Sequence, residues 1–142
     1  TDQWYVSNRG KELRGIAAEE TITNSVAVWC DTIYPADRDR VLDGFHRYVA
    51  QGSGQYSDEY RILRRDGTMI WVLDRGQAVW NDAGQAIRVT GSQTNITKLK
   101  RTEDALEESQ LIYKTLADTM PQMFWITKSD GYHEYYNQRW YD

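Results

Sequence analysis

The chain has 142 residues, 40% hydrophobic and 27% charged, which is ordinary globular composition with room for one compact core and a helical appendage. A net charge of −4 and a pI near 5.2 argue against a general nucleic-acid surface. No apolar run approaches the roughly 18 residues of a membrane span, no signal peptide is visible, and the lone Cys30 excludes an intrachain disulfide and fits a reducing, cytoplasmic compartment.

Aromatic usage is skewed, with six Trp and ten Tyr against two Phe, as suits a sheet face covered by a helix, a ligand or a partner. Gln3 to Ser7 (QWYVS) is a short β-rich run that Asn8-Arg9-Gly10 breaks. Residues 11 to 34 lack clean periodicity and predict short helical turns, with Cys30 a small buried apolar residue. Tyr34-Pro35-Ala36-Asp37 opens a helix. Its apolar stripe is Val41, Leu42, Phe45, Tyr48 and Val49, and Gln51-Gly52-Ser53-Gly54 ends it. On that helix Asp37, Asp39 and Asp43 with Arg38, Arg40 and Arg47 read as a solvated face of mixed charge.

Sheet patterning follows. Residues 56 to 64 alternate partly, and Arg65-Asp66-Gly67 supplies the Asp-Gly of a tight hairpin. Residues 68 to 80 form a long strand with Gly76 a candidate bulge. Asn81-Asp82-Ala83-Gly84 turns the chain into a third strand over 85 to 94. With residues 66 and 67 as the loop, Glu59 and Arg75 fall nearly opposite, a structural ion pair across two strands. Thr97 reads as an N-cap to a helix over 98 to 119. Leu99, Leu106 and Tyr113, spaced by seven, give it a weak heptad fitting either a two-helix seam or an amphipathic helix on its own sheet. Pro121 stops it. Met123 to Thr127, the turn Ser129-Asp130-Gly131 and Tyr132 to Asn137 predict a terminal hairpin.

This order resembles the PAS fold, and the segments resemble its aromatic-rich PAS-3 type with a C-terminal PAC motif. Trp29-x3-Ile33-Tyr34-Pro35-x-Asp37-Arg38 is similar to the family's W-x-x-x-I-H-P-x-D-R, with Tyr34 in place of His. Glu59-Tyr60-Arg61-Ile62, Arg65-Asp66-Gly67 and Trp71-Val72 resemble its E-Y-R-I…R-D-G…W-V hairpin. Gly91-x3-Asn95-Ile96-Thr97 resembles G-x-x-x-D-I-T, with Asn95 in place of Asp. The resemblance covers residues 4 to 97 and implies an α+β fold, a five-stranded antiparallel sheet with short helices on one face.

Tyr5-x3-Arg9 recurs as Tyr135-x3-Arg139 at an offset of 130 residues, a trace of tandem PAS domains. The chain begins with Thr rather than Met and reads as an excised piece. Residues 1–97 are then a PAS core lacking its own first strand, 98–120 a signalling helix, and 121–142 the opening hairpin of a following PAS domain. An empty first-strand slot would leave unpaired backbone edges. Met123 to Lys128 is expected to fill it, within the chain or by exchange between two protomers through residues 123–137, with a homodimer favoured.

The resemblance implies a sensory relay and dimerisation module, non-catalytic itself, within a histidine kinase of a two-component system. A diguanylate cyclase or phosphodiesterase parent, or a ligand-free dimerisation scaffold, are the alternatives. Asn95, Ile96 and Thr97 would pass the signal to the helix bearing Leu99 and Leu106. Trp29, Phe45, Tyr60, Ile62, Trp71 and Val89 are the candidate lining of a small-molecule pocket, and the same aromatics filling the core is the competing reading. Cys30 lies in Trp29-Cys30-Asp31, outside the motif that flavin photochemistry needs. His46 is not clearly inward as a haem ligand would be, and His133 sits in the terminal hairpin. No metal cluster, nucleophile–base pair or phosphate loop is visible, so no cofactor is expected.

Overall fold

The computed structural model describes residues 5–141, apart from the side chain of Ser25. The chain divides into two compact units, residues 1–98 and 99–142. Gln3 and Trp4 of the expected first run lie outside the described residues, and Tyr5 to Ser7 carry no strand pairing.

In the first unit, α1 (Asn8–Leu13) starts where a break was expected, because Ser7 caps it and its Oγ accepts from Gly10 N at 3.2 Å. α2 (Ser25–Thr32) is capped by Asn24, whose Oδ1 accepts from Ala27 N at 3.0 Å. Pro35 then opens α3 (Pro35–Gln51), its fixed φ suiting the first helical position. Gly52, at φ +79°, closes it in the left-handed conformation.

Three strands follow as an antiparallel meander of order β1-β2-β3: β1 (Tyr56–Leu63), β2 (Met69–Trp80) and β3 (Ala86–Asn95). The first hairpin pairs Leu63 with Met69, and Arg64 O accepts from Gly67 N at 3.0 Å. Its loop is therefore three residues, Arg65 to Gly67, with Gly67 at φ +86°, rather than the expected pair. The register moves by one. Glu59 faces Leu73 and Arg75 faces Ser57, so Glu59 and Arg75 stand diagonally on one face instead of opposite. The ladder irregularity lies between Val79 and Trp80, not at Gly76. Gly76 sits in a continuous ladder opposite Tyr56, where a Cβ would make only ordinary van der Waals contacts.

Alternation puts Tyr56, Tyr60, Ile62, Ile70, Val72 and Ala78 on the inner face, beneath the helices. Ile33, Val41, Tyr60, Ile62, Ile70 and Val72 form one buried cluster flanked by Leu13, Trp29 and Leu42. Each fully buried aliphatic side chain there contributes about 1.5–3 kcal/mol. A second cluster of Tyr48, Tyr56 and Ala78 is flanked by Phe45, Val49, Trp80 and Val89. Trp80 Nε1 donates to Val49 O at 2.8 Å, which satisfies its one polar atom.

The second unit holds most of α4 (Thr97–Thr119), then β4 (Trp125–Thr127), β5 (His133–Tyr136) and a 3-10 turn at Gln138–Trp140. Among the described residues β4 and β5 pair with each other. The expected five-stranded antiparallel sheet is met in part: among the described residues one sheet has three strands and the other two.

Candidate functional site

The inner face of the first unit carries a polar cluster embedded in its apolar wall. Asp74 on β2 pairs with Asp58 on β1 and with Gln93 on β3, so all three point inward with Tyr60. Tyr60 Oη donates to Asp74 Oδ2 at 2.6 Å and accepts from Trp29 Nε1 at 2.9 Å and Gln93 Nε2 at 2.8 Å. Gln93 Nε2 also donates to Asp74 Oδ2 at 2.7 Å, while its Oε1 accepts from Arg14 Nη2. Arg14, only 5% exposed, donates its other nitrogen to Gly10 O at 3.0 Å.

The electrostatics follow from burial. Burial pushes the Asp74 carboxyl above its ordinary range, against the donors Tyr60 and Gln93 and the charge of Arg14. Burial likewise lowers the Arg14 guanidinium, with Tyr60 and Asp74 holding it up. The Tyr60 phenol is raised, first by burial and then by Asp74. Gln93 is fixed between a cation and an anion. A flip of its amide would turn Nε2 toward Arg14 and Oε1 toward Asp74, and both contacts would repel.

Of the expected pocket residues, Tyr60, Ile62 and Val89 lie on this face, with Trp29 and Phe45 packed at 5.2 Å edge to face. Trp71 does not join them. It pairs with Arg61 and lies on the other face of the sheet, because strand residues alternate and both its neighbours, Ile70 and Val72, point inward.

Trp71 instead belongs to a clasp around Arg61. Arg61 Nε donates to Asp37 Oδ2 at 2.9 Å and its Nη2 to Asp37 Oδ1, while the Arg61 backbone N donates to Oδ2 at 3.0 Å. The guanidinium lies 4.3 Å from the Tyr34 ring centroid and 5.6 Å from that of Trp71. The hydrogen bonds from Arg61 hold the Asp37 carboxyl below its ordinary range. Asp37 is thus not part of a solvated face, whereas Arg40 stays exposed on it and its Nη1 grips both Asp58 oxygens at 2.7 and 3.0 Å.

The exit from the sheet is pinned to the same Trp71. Ile96 N donates to Trp71 O at 2.9 Å, and Trp71 N donates to Thr97 Oγ1 at 3.0 Å. Asn95 Oδ1 accepts from Thr97 N at 3.0 Å and Thr97 Oγ1 at 2.6 Å, so an amide serves where the family pattern has Asp. Ile96 is buried, whereas Leu99 and Leu106 on α4 are 53% and 59% exposed.

In the second unit Asn137 is fully buried and every polar atom of its side chain is used. Its Nδ2 donates to Ala117 O and Gln122 O, both at 2.9 Å, and its Oδ1 accepts from Phe124 N at 2.9 Å. Tyr135 Oη donates to Asp118 Oδ1 at 2.6 Å, which lowers the Asp118 carboxyl and raises the tyrosine to about 12. Asn137 (φ −76°, ψ 166°) and Ser7 (φ −65°, ψ 161°) share one backbone conformation, each ahead of a helical turn, at the offset of the Tyr-x3-Arg repeat.

Cys30 is half-buried and its thiol is raised, chiefly by burial. His46 and His133 are exposed. Among the described residues no group of three His, Cys, Asp or Glu could hold a metal, and no helix is long and apolar enough to cross a membrane.

The first unit is thus a helix-flanked antiparallel meander whose last strand feeds a long helix. The family profile described as PAS fold matches residues 3–93, and the chain belongs to the PAS fold family. A sensory box histidine kinase/response regulator from Burkholderia thailandensis is 34% identical at a TM-score of 0.66, covering 78% of this chain and 81% of that one. The methyl sulfide methyltransferase-associated sensor of Methanosarcina acetivorans is 27% identical over 80% of this chain and 11% of its own length. An uncharacterised protein, y4lL of Sinorhizobium fredii, is 26% identical over 91% of this chain and 15% of its own length. The chain thus spans about a seventh or less of these two curated relatives.

Proposed function

We propose that the chain is the sensory relay module of a cytoplasmic histidine kinase, non-catalytic itself, in which a change at the inner-face cluster travels along β3 into α4. One observation carries this reading. Gln93, locked between Arg14 and Asp74, stands two residues before Asn95 on the strand whose end is hydrogen-bonded into the start of α4. Any event that breaks the cluster shifts that strand, and the shift has nowhere to go but Asn95-Ile96-Thr97. Such a relay needs two arrangements of the linker. The kinase parent is supported by the likeness to the Burkholderia thailandensis protein.

The exposed Leu99 and Leu106 give α4 a seam for a second copy, so the active form is a homodimer. Exchange of residues 123–137 between protomers would fill the open edge of β3. In the full-length kinase, replacing Leu99 and Leu106 by Asp should abolish control of autophosphorylation while the circular-dichroism melt of the module is unchanged. Unaltered control in that double variant, or a monomeric mass at micromolar concentration, overturns the corresponding part.

A second reading, a ligand-free dimerisation scaffold, is favoured by one feature: the inner cluster satisfies its own hydrogen bonds. Native mass spectrometry of purified protein separates the two, since added mass marks a sensor with a bound ligand.

A further inference from the structure

Asp58 and Asp74 face each other across β1 and β2 on the inner side of the sheet, a like-charge pairing that weakens a ladder. Asp58 has a guanidinium of its own, since Arg40 of α3 grips both its oxygens. Asp74 is bonded to none. Its two donors, Tyr60 Oη and Gln93 Nε2, are neutral and both fall on Oδ2, so Oδ1 accepts no hydrogen bond among the described residues. The buried Arg14 in turn gives its donors to two neutral acceptors, Gly10 O and Gln93 Oε1. A cation and a carboxyl therefore share one face with a single amide between them. Apolar side chains of similar volume often serve stability better than such groups, so stability does not account for the arrangement.

The charged and titratable groups around Asp74 are Asp58, Tyr60 and Tyr56 from β1, Arg14 from the end of α1 and, through Asp58, Arg40 from α3. β3 contributes Gln93, and α2 the indole N–H of Trp29, which reaches Tyr60 Oη. His46, the histidine of this unit, is exposed and is not among them. Asp74 itself is half-buried, so a proton can reach it from water. Burial raises its carboxyl and lowers the Arg14 guanidinium, which inclines both ends of the cluster toward their neutral forms.

We propose that the stimulus read at this cluster is acidification: a proton from water binds Asp74 Oδ1 and unlocks Gln93, and with it the end of β3. This rests on the relay reading and names its input. The proton makes Asp74 a neutral acceptor, and the charge-assisted bonds from Tyr60 and Gln93 lose about half their strength. Arg14 loses its counter-charge in the same step. The new O–H finds no vacant acceptor in the cluster. Tyr60 Oη donates once and accepts twice, which fills it, and Gln93 Oε1 is held by Arg14. The O–H is accommodated when Gln93 gives up Tyr60 Oη or turns its amide. Gln93 stands two positions before Asn95, whose side chain holds the start of α4.

The test is an NMR pH titration of the whole chain between pH ~3 and ~7. It follows the side-chain carboxyl carbon of Asp74 and the backbone amides of Gln93, Asn95, Ile96 and Thr97. The Asp74 midpoint is expected above the ordinary aspartate value of about 3.9, with the four amides moving at the same midpoint. In Asp74→Asn, which keeps the shape and is neutral at every pH, those amides should stay at their acid-side positions throughout. Arg14→Met should move the midpoint further up, because it removes the cation that favours the carboxylate. An Asp74 midpoint at or below about 3.9, amides that do not follow it, or amides that still titrate in Asp74→Asn would each overturn the proton as input. Tyr60→Phe, which frees Gln93 at constant pH, separates that failure from failure of the relay. If it moves the amides of residues 95–97 while Asp74 fails its tests, the relay stands and the proton is wrong. If it leaves them in place, the relay falls and the proposal falls with it.

Discussion

Asp37 and Asp74 lie in the same unit, each tied to a neighbour on β1, and their carboxyls are displaced in opposite directions. Asp37 meets a full guanidinium fork plus a backbone N–H from Arg61, so its charged form is favoured. Asp74 meets two neutral donors, Tyr60 and Gln93, and has Arg14 only beyond the Gln93 amide. Burial therefore outweighs its hydrogen bonds. One aspartate fastens α3 to the sheet; the other is held at a cost and relieved by a proton, which is the condition of a group whose surroundings can be changed.

Tyr60→Phe should have the largest effect on this contrast. It removes one oxygen that serves Trp29, Gln93 and Asp74 together, and leaves their polar atoms short of partners in a buried site. A loss of ~1–3 kcal/mol is expected in urea denaturation, and a neutral result would show that the cluster relaxes freely. Asp37→Asn keeps one acceptor for Arg61 but loses the charge and half the fork. Its melting midpoint should fall by roughly 5 °C, and no fall would mean that the Tyr34 and Trp71 rings alone hold Arg61. The smallest effect is on pH dependence. The carboxyl of Asp74 titrates above its unfolded value, near about 3.9, so the folded chain keeps a proton that the unfolded chain has released. Stability from this group falls as pH rises through that interval and is level above it. Asp37 acts in the reverse sense: its stability is present above the unfolded value and is lost as pH falls through the lowered one. In Asp74→Asn the loss on raising pH should vanish and the acid-side loss from Asp37 remain, as read by urea midpoints between pH ~3 and ~7. An unchanged profile would assign the proton elsewhere.

Much of this was legible in the residues. The Pro35-x-Asp37-Arg38 and Glu59-Tyr60-Arg61-Ile62 segments marked the helix and the meander after it, and Gly91-x3-Asn95-Ile96-Thr97 marked the exit. What joined the first two segments was not legible. Asp37 lies one turn before Val41, at the edge of the apolar stripe of α3, but its partner is 24 residues away, so its charge alone assigned it to solvent. The inner cluster left a clearer trace that went unread. Asp74 shares the parity of Val72 and Ala78 on β2, as Gln93 shares that of Val89 on β3, and a polar side chain on a buried register is a signal in its own right. The opposite parity on β2 places Trp71 outside, although the family resemblance drew it into the pocket. Arg14 gave no signal, since it follows a short helix in a stretch without periodicity.

The buried Asn137 has a mechanical consequence for α4. Its bonds to Ala117 O, Gln122 O and Phe124 N hold the last turn of the helix, while Trp71 holds the first through Thr97 and Ile96. A helix of 23 residues is about 35 Å long, and here it is gripped at both extremities like a torsion bar. A turn of one residue, about 100°, would carry Ala117 O away from Asn137 and break its bond to Nδ2.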